Sequence, residues 1–212
     1  EKVCDAMGEH VGRCMRGGHR TAAHNLVSTS LFQPLTKALC QPAREISCFV
    51  NTNPTQRVDI FCASMYAQGS RQAVDVAITG DFSNIPADDK VLNTPGSIAT
   101  QYEEIKWKTY GNSVTNCPEH LRAKYGYRTP SEADGPIALV PFVLDIYGAP
   151  GESAKKFLKK IAGRLAHRDK SNYGTMVRAL TTKITLTAQM AIADIFLLAD
   201  TTPLDFHHLK QE

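Results

Sequence analysis

Apolar and polar positions follow two different periods along this chain, and the change from one to the other divides it. Leu26, Leu31, Leu35 and Leu39 recur at spacings of four and five, which predicts a helix from Thr21 with one apolar stripe. Pro34 predicts a kink or a division of that helix. Residues 44–50 (REISCFV), 57–63 (RVDIFCA) and 72–79 (QAVDVAIT) alternate or run apolar over strand lengths. Turn chemistry joins them, so an antiparallel meander is expected. Residues 80–96 read as a loop rich in Pro, Asp and Asn.

A helix is expected over 97–112, capped by Ser97, with Ile98, Tyr102, Ile105 and Thr109 on one side and Gly111 and Asn112 as stops. Residues 117–126 predict a short helix. The continuous apolar centre of 135–148 predicts a strand buried on both faces, with Pro141 marking an irregularity or two pieces. Residues 152–168 predict an amphipathic helix with Phe157, Leu158, Ile161 and Leu165 inward and Lys155, Lys156, Lys159 and Lys160 outward. Residues 173–200 predict a long buried helix, and 201–212 a frayed tail. The first twenty residues lack core periodicity and read as a small irregular module. The order predicts an α/β (α+β) fold with a central mixed sheet.

Composition narrows this little. The chain has 212 residues, 42% hydrophobic and 21% charged, the balance of an ordinary globular protein. No apolar run approaches the roughly 20 residues of a membrane span, so no membrane partner is expected. A net charge of +3 permits nucleic-acid binding without demanding it. The abrupt start, without a signal-peptide pattern, predicts a piece of a longer protein. The six cysteines are scattered, and Cys40, Cys48, Cys62 and Cys117 lie in or near apolar segments. Buried thiols in a reducing compartment are expected, not a disulfide framework.

The candidate chemistry starts with Asp59 and Asp75, each set in a β-branched, apolar strand. Strand alternation puts Asp59 with Phe61, and Asp75 with Ala77 and Thr79, on one face of each strand. If the strands pair as a hairpin, a compatible register brings both carboxylates to the same side. Burying two carboxylates is costly, and a hard divalent cation, Mg²⁺ or Mn²⁺, resolves the cost. The plainer alternative is an aspartate at each strand end, facing water or pairing with Arg57 or Arg71. On the following helix Lys106 and Tyr110 are four residues apart and share a face. A lysine beside such a cation can orient water and stabilise charge on a phosphate. Lys108 points elsewhere, to the side of Glu104.

The ordered set CDAMGEHVGRC (4–14), AAHN (22–25), RVDIF (57–61), AVDVAIT (73–79) and KWKTY (106–110) resembles the PD-(D/E)XK restriction-like nucleases. The closer likeness is to the restriction-like endonuclease domain at the C-terminus of site-specific non-LTR retrotransposons. The likeness covers roughly residues 1 to 165. Val58 stands where the family has proline, and Ala77 where the motif lysine would fall. The retrotransposon family recruits its lysine from the next helix, and Lys106 fits that displacement. In the wider superfamily an acid from the first helix supports the metal, and Glu45 is the nearest candidate.

The resemblance implies a restriction-endonuclease-like core over 25–168, a zinc-binding module over 1–24 and a C-terminal helical extension over 169–212. It implies a nuclear, Mg²⁺- or Mn²⁺-dependent DNA endonuclease that nicks target DNA to prime reverse transcription. Asp59 and Asp75 would hold the catalytic metal, with Lys106 and Tyr110 as further catalytic residues. The implied partners are target DNA, the reverse transcriptase portion of the same polyprotein and element RNA. The alternative is a nuclease-like binding module that has lost catalysis.

Zinc takes four ligands, mostly thiolate and imidazole. Cys4, His10 and Cys14 are spaced to wrap one ion. The family's first cysteine would fall at position 1, which is Glu1. The fourth ligand is then His19, favoured because it sits in a Gly-flanked turn, or His24, or a cysteine upstream. Arg13, Arg16, Arg20, Lys106, Lys108, Arg122, Lys124 and Arg128 could form one basic side for phosphates.

Overall fold

In a computed structural model, residues 19–46, 57–65, 71–80, 94–126 and 137–201 are described. Helix α1 spans His19–Lys37, followed by β1 (Pro42–Ile46), β2 (Val58–Cys62) and β3 (Arg71–Thr79). Then come α2 (Ser97–Tyr110), a 3₁₀ turn (Gly111–Ser113), α3 (Glu119–Tyr125), β4 (Ile137–Asp145), α4 (Glu152–Asp169) and α5 (Tyr173–Thr201). The strands form one sheet in the order β1-β2-β3-β4. β1, β2 and β3 pair antiparallel as the meander expected from the sequence, and β4 joins β3 in parallel. The fold is thus mixed α/β with a mixed four-stranded sheet. Cys4, His10 and Cys14, expected as zinc ligands, lie outside the described residues.

The alternation of β3 and β4 sorts two unlike faces. Val74, Val76, Val140, Phe142 and Leu144 face the main core, which α1, α4 and α5 complete with Val27, Leu31, Leu35, Phe157, Leu158, Ile161, Leu180 and Ile184. Phe142 and Phe157 meet edge to face at 6.2 Å, a favoured aromatic geometry. On the other face Ala77 and Val143 pack on Ala99 of α2, and Ala73 and Leu139 on Trp107 and Tyr110. α5, expected as an extension, therefore supplies part of the main core.

Pro141 does not interrupt β4. Leu139 gives its N–H and C=O to the Asn116 side chain, and Val143 O accepts from Gly151 N. Odd positions of β4 thus turn their backbone polar groups away from β3. Pro141 shares that parity on an edge strand, where its missing N–H costs no ladder bond.

Several local expectations are corrected. α1 continues one turn past Pro34. Its buried stripe is Ala23, Val27, Leu31 and Leu35, while Leu26 and Leu39 are exposed, and Leu39 takes φ 56° as the chain leaves the helix. His19 opens α1 and is not in a turn before it. In α2 the buried positions are Ile98, Ala99, Glu103, Trp107 and Tyr110, not Ile105 and Thr109, and Gly96 is the N-cap in place of Ser97. α5 is buried on one side only, because Leu186, Met190 and Leu197 are exposed.

Two polar groups, the buried Glu103 and the half-buried Arg164, anchor α2 and α4. Glu103 of α2 accepts from Ser153 N and Ala154 N at the start of α4, where unpaired N–H groups and the helix dipole favour a carboxylate. A Cβ at Gly151 would collide with that carboxylate, so glycine is required there. Arg164 donates to Ala38 O at 2.9 Å and Met65 O at 2.7 Å, tying α4 to the chain after α1 and after β2. Glu103→Ala is expected to destabilise by about 1–3 kcal/mol through the orphaned amides, read as a lower urea midpoint with unchanged slope.

Candidate active site

The β2–β3 ladder pairs Phe61 with Ala73 and Ile60 with Val74. One step further along that register Asp59 stands opposite Asp75, so both side chains leave the sheet on the same face. Beyond Ile60↔Val74 the ladder gives way to a side chain: Val76 N donates to Asp59 Oδ2 at 2.6 Å. β3 continues to Thr79 against β4 alone. Among the described residues, no β2–β3 pair is made beyond Ile60↔Val74.

α2 crosses the carboxylate face and brings Lys106 Nζ to 2.9 Å from Asp75 Oδ2. The contact is an ion pair without hydrogen-bond alignment, and that buried oxygen has no hydrogen-bond partner. From α1, His24 Nε2 lies 3.2 Å from Asp59 Oδ2, and His24 Nδ1 lies 3.2 Å from Asn25 Oδ1. Both ring nitrogens face oxygens, an arrangement that imidazolium satisfies by donating twice. Lys106 also lies 5.9 Å from the Tyr102 ring centroid, within cation–π range.

The electrostatics separate the two carboxyls. Burial pushes Asp75 up to about 6, because the charge of Lys106 only partly offsets desolvation and Asp59 adds repulsion. Burial would also raise Asp59, but the His24 hydrogen bond, the His24 charge and the Val76 N–H outweigh it and hold Asp59 below the usual range. The Asp59 hydrogen bond raises His24 against the opposing effect of burial. A convergent acid pair whose buried Asp75 Oδ2 is met only by the Lys106 ammonium offers oxygen ligands of the kind a hard divalent cation takes, and such a cation would cancel their repulsion.

A cleft of about 280 Å³ opens beside this group. His24 and Lys106 line one part of it, and Val76, Ala77 and Ile78 form its floor. Ile192 and Ile195 of α5 form a wall that the sequence reading had assigned to an extension. Their signal was present in the spacing of Leu180, Ile184, Ala188, Ala191 and Ile195, all buried on one side of α5.

The remaining candidates lie elsewhere. Tyr110 is buried in the apolar cluster with Val58, Ala73 and Trp107, and the tyrosine lining the cleft is Tyr102. Glu45 is exposed, has φ 50°, and lies 3.9 Å from Arg57, so it does not join the aspartates. Lys108 is exposed, and Glu104 pairs with Lys124 and the Tyr125 hydroxyl. Arg122 leaves the expected basic side, because it is buried and donates to Cys117 O, Val114 O and Thr115 O. The backbone of His19 starts α1, and the other expected zinc ligands fall outside the described residues. Cys40, Cys62 and Cys117 are buried free thiols, and burial pushes Cys62 up to about 12, which leaves it unreactive.

Among the described residues no helix is long and apolar enough to cross a membrane. No protein-family model matches the chain, and no curated protein matches it.

Proposed function

We propose that this chain is a metal-dependent DNA endonuclease domain of the restriction-like type, resembling that of site-specific non-LTR retrotransposons. The observation that carries the reading is the convergence of Asp59 and Asp75 with Lys106 at 2.9 Å from the second carboxylate. Asp59 and Asp75 would hold Mg²⁺ or Mn²⁺. When bound, the ion supplies Lewis-acid stabilisation of phosphoryl charge and a more acidic water. Lys106 orients the water and neutralises charge on a non-bridging phosphate oxygen. His24 holds Asp59 in place through its Nε2–H, and Val76 N–H fixes the same oxygen. The new P–O bond forms from water as the P–O3′ bond breaks, leaving a 5′ phosphate and a 3′ hydroxyl able to prime reverse transcription. In this reading Cys4, His10 and Cys14, with a fourth ligand, hold a structural Zn²⁺. The partners are target DNA, the reverse transcriptase portion of the polyprotein and element RNA, in the nucleus.

One observation favours a second reading, a nuclease-like scaffold that binds without cutting. Ala77 stands at the motif lysine position, and Asp59 Oδ2 is already engaged by His24 and Val76. Conversion of supercoiled plasmid to open circle in Mg²⁺ or Mn²⁺ separates the two. The wild type is expected to nick, and Asp59→Ala to lose nicking while keeping its DNA affinity. Equal nicking by both proteins removes the proposal.

A further inference from the structure

The cleft beside the carboxylates has two unlike parts, and only one suits a phosphate. His24 and Lys106 face the acid pair. The rest is walled by Ile78 of β3, Ile146 just after β4, Ile192 and Ile195 of α5, and the ring of Tyr102. That wall offers apolar surface where a sugar–phosphate backbone would need donors. At about 280 Å³ the cleft lies at the small end of ligand pockets, which start near 300 Å³. It has room for one planar ring system, not for a base pair. What is attached to a scissile phosphate, flat and apolar on both faces, is the neighbouring base.

We propose that the apolar part of the cleft takes one nucleobase swung out of the stack next to the scissile phosphate, so the preferred substrate is DNA unpaired at the cut. The inference rests on the endonuclease reading. Three features support it. Extruded bases are held between apolar and aromatic side chains, and extrusion is easiest where the base is already unpaired. The cleft is lined by His24 and Lys106, which contact Asp59 and Asp75, so it adjoins the acid pair through those two side chains. Among the described residues the cleft carries no side-chain amide or carboxylate to read a Watson–Crick edge, only the Thr21 and Tyr102 hydroxyls besides His24 and Lys106. Stacking without edge contacts tolerates any base, so little base preference is expected at this position.

The test uses the 212-residue chain with matched duplexes and duplexes carrying a short bubble, each with 2-aminopurine walked through the cut position. Binding is read in Ca²⁺ and cutting in Mg²⁺. The wild type should cut the bubble about tenfold faster or more, with enhanced fluorescence at one position only. Ile78→Phe, which fills the cleft, should lose that fluorescence and cut base-containing DNA about tenfold more slowly. It should recover the wild-type rate on DNA with an abasic site at the same position. This rescue separates a filled pocket from a damaged fold. If Ile78→Phe melts well below the wild type, Ile192→Phe takes its place in the same design. Equal cutting of matched and bubble DNA, with no fluorescent position, overturns the pocket and leaves the nuclease. Absence of cutting on every DNA by the wild type overturns the endonuclease reading, and this inference with it.

Discussion

Asp75→Asn is expected to reduce nicking by at least about a hundredfold without lowering the melting temperature at pH 8. Most buried charged groups destabilise a protein when replaced, so the second half of the expectation is the informative one. Asp75 is 6% exposed, opposes Asp59 across the strand pair, and has an oxygen without a hydrogen bond. Its carboxyl is pushed from 3.8 up to about 6 by burial first, with Lys106 offsetting part of the rise. A rise of that size corresponds to a penalty of about 3 kcal/mol for the ionised form in the fold. The sign follows from the direction. The folded state holds the proton more tightly than the unfolded chain, so the stability is intact below pH 3.8 and is lost as pH rises through about 6.

Asparagine keeps the shape and removes the charge. Lys106, with 20% of its side chain exposed, retains contact with water when its partner is neutral. The wild type should therefore lose melting temperature between about pH 4 and pH 6, and Asp75→Asn should lose less. A variant that is inactive and clearly less stable at pH 8 would show that Asp75 is an ordinary structural carboxylate. Asp145 supplies the contrast. It is also buried in a strand, but its carboxylate accepts from Tyr147 N at 2.9 Å, Ala149 N at 2.8 Å and Gly96 N at 3.3 Å. The first two bonds close the turn after β4, and the third ties the start of α2 to the end of that strand.

Lys106→Met should cut the single-turnover nicking rate by about a hundredfold and leave DNA affinity nearly unchanged. Methionine preserves the stem that packs beside Tyr102 and deletes the charge. Lys106 is the charge that restrains the rise of Asp75. Without it the carboxyl moves further up, a proton competes with the metal at higher pH, and the acid limb of the pH–rate profile shifts to more alkaline values. Lys106→Arg returns the charge, so that limb should move back. The rate should recover only in part, because a planar guanidinium cannot occupy the position of a compact ammonium. A rate loss with an unmoved acid limb would place Lys106 outside the electrostatics of Asp75.

The strands of the meander were legible because their side chains alternate with period two, and register then follows from which face is buried. The opposition of Asp59 and Asp75 was readable from the same rule. The face of α2 was not. Apolar periodicity points Ile105 and Thr109 inward, yet the chain turns Glu103 and Lys106 toward the protein. Those two polar groups have partners, the start of α4 and Asp75, that no local pattern can reveal. α5 misleads in the opposite way. Its apolar residues spill beyond one face, but only the side with Ile184, Ala188 and Ile195 is buried, while Met190 and Leu197 are each 66% exposed beside the polar Arg178, Thr182, Lys183 and Gln189. The pairing of His24 with Asp59 needed the crossing of α1 over β3. The AAHN segment marked the residue but not its contact.

The central claim is that the two aspartates share one cation. Crystals soaked in Mn²⁺ and measured at the manganese edge test it directly. The account predicts an anomalous peak between the carboxylates of Asp59 and Asp75, with oxygen ligands at roughly 2.0–2.3 Å, and Lys106 still at hand. An empty site at saturating Mn²⁺, with the Lys106–Asp75 and His24–Asp59 contacts undisturbed, would contradict it.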